Sequence, residues 1–109
     1  MGITKTELYT DKQVNLAAVF KALGHPARVS ILEYLFKVES CVCGDIVDEI
    51  GLAQATISQH LVVLKNVGII QGTVTGTSVC YCIDKTKWLE ITEYIEPFLN
   101  SSMLDTECC

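Results

Sequence analysis

The segment from Glu39 to Gly68, E-S-C-V-C-G-D-I-V-D-E-I-G-L-A-Q-A-T-I-S-Q-H-L-V-V-L-K-N-V-G, leaves few folds open to the chain. Ile46, Val47 and Ile50 suit a short helix over about 44–50. Ile57, Leu61 and Leu64 then recur at helical spacing in a longer one, where Gln54, Thr56, Ser58, Gln59 and His60 stay polar. Gly51 between them can take the left-handed conformation that ends a helix, and Gly68 can close the second. Two helices joined by so tight a turn are a helix-turn-helix, whose second helix has the form that enters the major groove of DNA. Cys41-Val42-Cys43 stands at the entrance to the pair, so soft ligands and a reading helix share one segment.

The flanking elements can be read from their caps. Thr10 and Gln13 form a capping-box pair ahead of V-N-L-A-A-V-F-K-A-L, which predicts a first helix from about Asp11 to Leu23, stopped at Gly24, with Leu16, Phe20 and Leu23 as its apolar stripe. Pro26 fits the first turn of a second helix, where its missing N–H costs nothing, with His25 as a helix-start residue and Val29, Leu32, Leu35 and Phe36 as the buried face. After Gly68, two β-rich runs flank Thr75-Gly76-Thr77-Ser78, a hairpin signal, and strand alternation puts Val79, Tyr81 and Ile83 on one face with Cys80 and Cys82 on the other. A hairpin directly after a reading helix is a wing. Asp84 can cap a last helix in which Trp88, Ile91, Ile95 and Phe98 recur at intervals of three and four, ended or kinked by Pro97. The predicted fold is mainly α with a small β-hairpin (α+β): a flexible arm over 1–10, one winged helix-turn-helix domain over 11–99, and a mobile cysteine-bearing tail over 100–109.

At 109 residues, half of them hydrophobic, the chain has room for one core. Buried surface is thin at this size, so the apolar first and last helices predict a homodimer built through them. Apolar runs fall far short of the roughly 20 residues that span a bilayer, and no charged-then-apolar leader opens the chain, so a cytoplasmic protein without a membrane partner is expected. The myristoylation-like Met1-Gly2 with Thr6 and the sequon Asn100-Ser101-Ser102 are short, common patterns and carry no weight. A net charge of −5 has the wrong sign for a nucleic-acid binder, yet Ile50 through Ile83 contains no Asp or Glu and includes His60 and Lys65. This distribution predicts modest, salt-dependent affinity for double-stranded DNA in general, with side-chain hydrogen bonds carrying the specific binding.

Six cysteines stand at 41, 43, 80, 82, 108 and 109. Without a leader, reduced thiols are expected, and the two C-x-C pairs and one C-C would strain any internal disulfide, so ligand or sensor duty is the first reading. In extended chain, residues two apart point the same way with Cα atoms about 6.6 Å apart, whereas in a helix they diverge by about 200°. Joint binding by Cys41 and Cys43 therefore requires an irregular helix entrance. Cys108 and Cys109 can supply a third sulfur from the tail, while Cys80 and Cys82 are expected to pack or lie exposed on the wing. No C-x-x-C sits on a βαβ pattern and no His or Asp series follows a nucleophile, which argues against an enzyme, a catalytic residue or a required cofactor.

Taken together, K-A-L-G-H-P-A-R-V-S-I-L-E-Y-L at 21–35, C-V-C before the third helix, L-A-Q-A-T-I-S-Q-H-L-V-V-L-K-N-V-G-I-I at 52–70 and T-G-T-S-V-C-Y-C-I in the wing resemble the arsenic-repressor (ArsR) family of bacterial winged-helix metalloregulators. The resemblance implies a homodimeric repressor on an inverted repeat in operator DNA, released by a thiophilic or transition-metal ligand, with Gln54, Thr56, Ser58, Gln59 and His60 facing the major groove. Two departures qualify it. Members that bind inorganic arsenite on the third helix often carry a third cysteine three positions after C-V-C, where this chain has Ile46; members with zinc at the dimer interface place Asp and His along the last helix, and residues 84–102 contain no histidine. Sulfur ligands without a histidine or carboxylate cluster point to soft cargo, As(III) or Sb(III) ahead of cadmium or lead, and a site of only two sulfurs suits a trivalent organoarsenical. The candidate metal ligands are thus Cys41, Cys43, Cys108 and Cys109, and the candidate DNA contacts Gln54, Thr56, Ser58, Gln59, His60 and Lys65. The alternative is a thiol-redox or persulfide-responsive repressor that uses the same cysteines in disulfide chemistry.

Overall fold

Each cap predicted from sequence forms in the computed structural model, which describes residues 8–42, 44–76 and 78–100. The elements run α1 (Asp11–Leu23), α2 (Pro26–Val38), α3 (Asp45–Ile50), α4 (Gln54–Asn66), β1 (Ile70–Thr75), β2 (Ser78–Ile83) and α5 (Lys85–Leu99). At the start of α1, Thr10 Oγ1 accepts the Gln13 N–H at 3.1 Å while Gln13 Oε1 accepts the Thr10 N–H at 2.9 Å. His25 caps α2 through Nδ1, which accepts the Ala27 N–H at 3.0 Å. Asp84 caps α5 by accepting the Lys87 N–H at 3.1 Å. The end of α4 is fixed by a paired lock: Ile69 N–H donates to the Leu64 carbonyl and Gly68 N–H to that of Lys65, with Gly68 at φ 84. These two hydrogen bonds turn the chain from reading helix into wing over three residues, Val67, Gly68 and Ile69.

The core lies where α2, α4 and the wing meet. Ile31, Leu35, Ile57, Leu64, Ile69 and Ile70 are its most enclosed side chains. Two predicted stripes are corrected. On α2, Ile31 takes the buried position, while Val29 and Phe36 are exposed; Phe36 instead rests against the Trp88 ring of α5. On α1, Val19 and Ala22 face inward and Phe20 is exposed. Several helical stripes satisfy the same spacing, and only the neighbouring elements select which one is covered.

β1 and β2 pair antiparallel from Ile70 opposite Ile83 to Thr75 opposite Ser78. A further pairing lies outside the hairpin. Val42, just ahead of α3, bridges Tyr81 with two backbone hydrogen bonds of 2.8 Å, Val42 N–H to Tyr81 O and Tyr81 N–H to Val42 O. The helix-turn-helix entrance is thereby docked on the second wing strand. In such a ladder the next residues outward, Cys41 and Cys82, form a non-hydrogen-bonded pair, the kind whose Cα atoms approach to about 4.5 Å with side chains on one face.

Candidate functional site: a DNA-reading face and a sulfur pair

Ile57, Leu61 and Leu64 anchor α4 to the core, so helical geometry sets the rest of its surface. Gln59 stands opposite the buried stripe. Gln54, Ser58 and Lys65 fall on the flank toward the wing, and Thr56 and His60 on the flank toward α2. Gln54, Thr56, Ser58, Gln59 and Lys65 are exposed, as a reading face requires. Gln54 and Ser58 line an open cleft of about 400 Å³ whose other wall is Ser78, Val79 and Tyr81.

His60 is set differently. It is half-buried, with its ring centroid 4.5 Å from that of His25. Burial, and then the charges of His25 and Arg28, hold its imidazole below the ordinary range. The neutral ring keeps one nitrogen as an acceptor. Periodicity also passed over Val62, which is 54% exposed and one turn from Gln59 on the outer face. Its signal in the sequence is its place opposite the Ile57–Leu61–Leu64 stripe.

Among the thiols, Cys41 is free and exposed and Cys82 is free and half-buried. Their side chains are hydrogen-bonded; that contact, with partial burial, pushes the Cys82 thiol up, against an opposing hydrogen bond from Gln71. Cys80 is buried and disulfide-bonded, which corrects the expectation of reduced thiols at that position. The predicted ligands Cys43, Cys108 and Cys109 lie outside the described residues. Of the predicted ligand set, the structure therefore shows Cys41 alone, and gives it a partner the sequence reading set aside. The signal in the sequence is the match of two C-x-C triplets: once Val42 pairs antiparallel with Tyr81, Cys41 falls beside Cys82. Among the described residues, no group of three or more His, Cys, Asp or Glu is placed to hold a metal ion. Nor is any helix there long and apolar enough to cross a membrane.

Comparison with known proteins agrees with this architecture. Residues 25–71 match the model of the bacterial regulatory protein, arsR family. The chain is 39% identical, over 79% of its length and 97% of the relative, to an uncharacterized HTH-type transcriptional regulator of Methanocaldococcus jannaschii. It is 37% identical, over 82% of its length and 74% of the relative, to a cadmium resistance transcriptional regulatory protein CadC homolog of Staphylococcus aureus. Its fold matches the solution structure of a homodimeric winged helix-turn-helix DNA-binding domain from Mycobacterium bovis, with a TM-score of 0.67 at 20% identity, covering 99% of this chain and 97% of that one. With this reading helix, this wing and these relatives, the chain belongs to the ArsR family of DNA-binding transcriptional regulators.

Proposed function

We propose that the protein is a homodimeric repressor that sits on an inverted repeat in its operator and is released when a thiophilic ligand engages the Cys41 sulfur. One observation carries this reading: Cys41 adjoins the two-bond bridge between Val42 and Tyr81, at the point where the chain turns into α3. Ile46 of α3 and Ile57 of α4 share the core, so strain at that bridge reaches both the wing and the reading helix. The groove spacing of two reading helices in a dimer is sensitive to small rotations, and a coupling of about 1–3 kcal/mol is typical of such switches. For dimerisation, Leu8, Tyr9 and Phe20 near α1 and Leu89, Phe98 and Leu99 on α5 are all exposed, a supply of apolar surface at the two ends of the chain. The neighbour from Mycobacterium bovis is itself homodimeric.

Soft sulfur favours As(III), Sb(III) or a trivalent organoarsenical, with cadmium or lead next; the cadmium-resistance relative keeps cadmium in the set. A redox reading has its own support, since Cys80 already sits in a disulfide. Operator release separates them. Duplexes bearing inverted repeats from the protein's own promoter should be bound by reduced protein, and arsenite, phenylarsine oxide or cadmium should dissociate them, while complexes of Cys41→Ser persist. Release by peroxide or persulfide, and by none of the soft ligands, would establish the redox reading instead.

A further inference from the structure

An open groove of about 780 Å³ is lined by the two free sulfurs of Cys41 and Cys82, by the apolar Leu35, Phe36, Trp88 and Leu89, and by polar side chains of the α2–α3 link and the start of α5. Phe36 and Trp88 stand with ring centroids 5.1 Å apart at 58°, an aromatic corner left partly open to solvent. Nothing in the DNA-reading face uses this groove. Two free thiols and an aromatic corner in one groove suit a ligand that makes two bonds to sulfur and carries one apolar substituent.

We propose that Cys41 and Cys82 form a two-sulfur site for a monosubstituted trivalent arsenical, whose organic group lies in the groove against Phe36 and Trp88. The pairing register holds the two cysteines side by side. The Val42–Tyr81 bridge fixes both strands, so bringing the sulfurs together costs little additional ordering. Three-sulfur capture of inorganic arsenite would need a third soft ligand, and among the described residues none joins these two. An arylarsenic group uses two thiols and leaves its third valence to carbon. The reaction balances without a redox partner: R–As=O and two thiols give R–As(S)₂ and one water. Two As–S bonds form, the oxide oxygen leaves with both thiol protons, and arsenic stays trivalent. A bond through arsenic would tie the α3 entrance to the wing covalently. This deepens the derepression reading and rests on it only for the consequence at DNA.

Trp88 is the chain's one tryptophan, so its fluorescence reports groove occupancy directly. Phenylarsine oxide titrated into the full-length chain carrying Cys108→Ser and Cys109→Ser, without added thiols, should quench it with one adduct per chain, and peptide mapping of the product should join the Cys41 and Cys82 peptides through arsenic. Losing one of two linked ligands forfeits roughly 10²–10⁴-fold in affinity, so Cys41→Ser and Cys82→Ser should each weaken binding by that much. Cys41 is exposed, so its variant serves should Cys82→Ser fold poorly. Arsenite should bind more weakly than phenylarsine oxide. Arsenic mapped to any other cysteine pair, or equal affinity for the two arsenicals, would overturn the proposal. Adduct at Cys41 and Cys82 with unchanged operator affinity would keep this site and refute the derepression reading; operator release with arsenic elsewhere would do the reverse.

Discussion

The reading face of α4 and the sulfur pair differ in how many parts of the chain must agree to build them. The face needs one helix: its inner stripe is seated by Ile57, Leu61 and Leu64, and its outer side chains follow from the 3.6-residue repeat. The pair needs three segments in register, because Cys41 reaches Cys82 only while Val42 is bonded to Tyr81 and β2 to β1. A local surface tolerates replacement of any single exposed residue. A site made by register fails as a whole when one strand slips, and for the same reason the proposed function has it respond to a ligand that loads one strand. In the proposed function, recognition is assigned to the stiff element and sensing to the junction.

The largest effect should come from the hidden side of the reading helix. Leu64 is fully enclosed, so Leu64→Ala should cost about 2–5 kcal/mol in denaturant unfolding; a loss under 1 kcal/mol would mean that α4 is not seated as described. The outer side should behave in the opposite sense. Gln59→Ala should leave stability within about 0.5 kcal/mol of wild type and weaken operator binding by about 1–3 kcal/mol. Lys65→Ala should instead lower affinity for all duplexes alike and reduce the salt slope by about 1. Equal losses on operator and random DNA for Gln59→Ala would remove it from the base-reading set.

The contrast explains what the sequence made legible. Caps at Thr10, His25 and Asp84, the glycine stops and the hairpin all depend on residues within a few positions of one another, and so are legible in the sequence alone. Phe20, Val29 and Phe36 fitted helical spacing and still proved exposed, because spacing defines a stripe without saying which neighbour covers it. Cys82 was missed for a related reason: its meeting with Cys41 is a property of strand pairing across half the chain, and alternation within β2 is silent about it.

Smaller effects probe the joints. Gly68 holds φ 84, and an added Cβ would stand 3.3 Å from the Lys87 side chain. Gly68→Ala should therefore cost about 1–2 kcal/mol, mostly from the left-handed backbone, with the α4-to-wing turn as the region that loosens in hydrogen exchange. The smallest predicted effect is a pH dependence. Folding holds His60 below its ordinary value, so the unfolded chain binds the proton more readily; the associated stability is present above about pH 6.5 and is lost as pH falls through the folded value. Thermal midpoints should decline on acidification, and less steeply in His60→Gln; parallel declines would assign the effect to other groups.

The most direct test is a thermodynamic cycle between the two regions. Operator affinity is measured at one fixed salt concentration for the free protein and for protein saturated with phenylarsine oxide. Coupling of the sulfurs to the reading helix predicts affinity at least about tenfold weaker in the loaded form, about 1.4 kcal/mol. Identical affinities, with arsenic shown to be bound, would mean that the sulfur pair and the reading helix act independently.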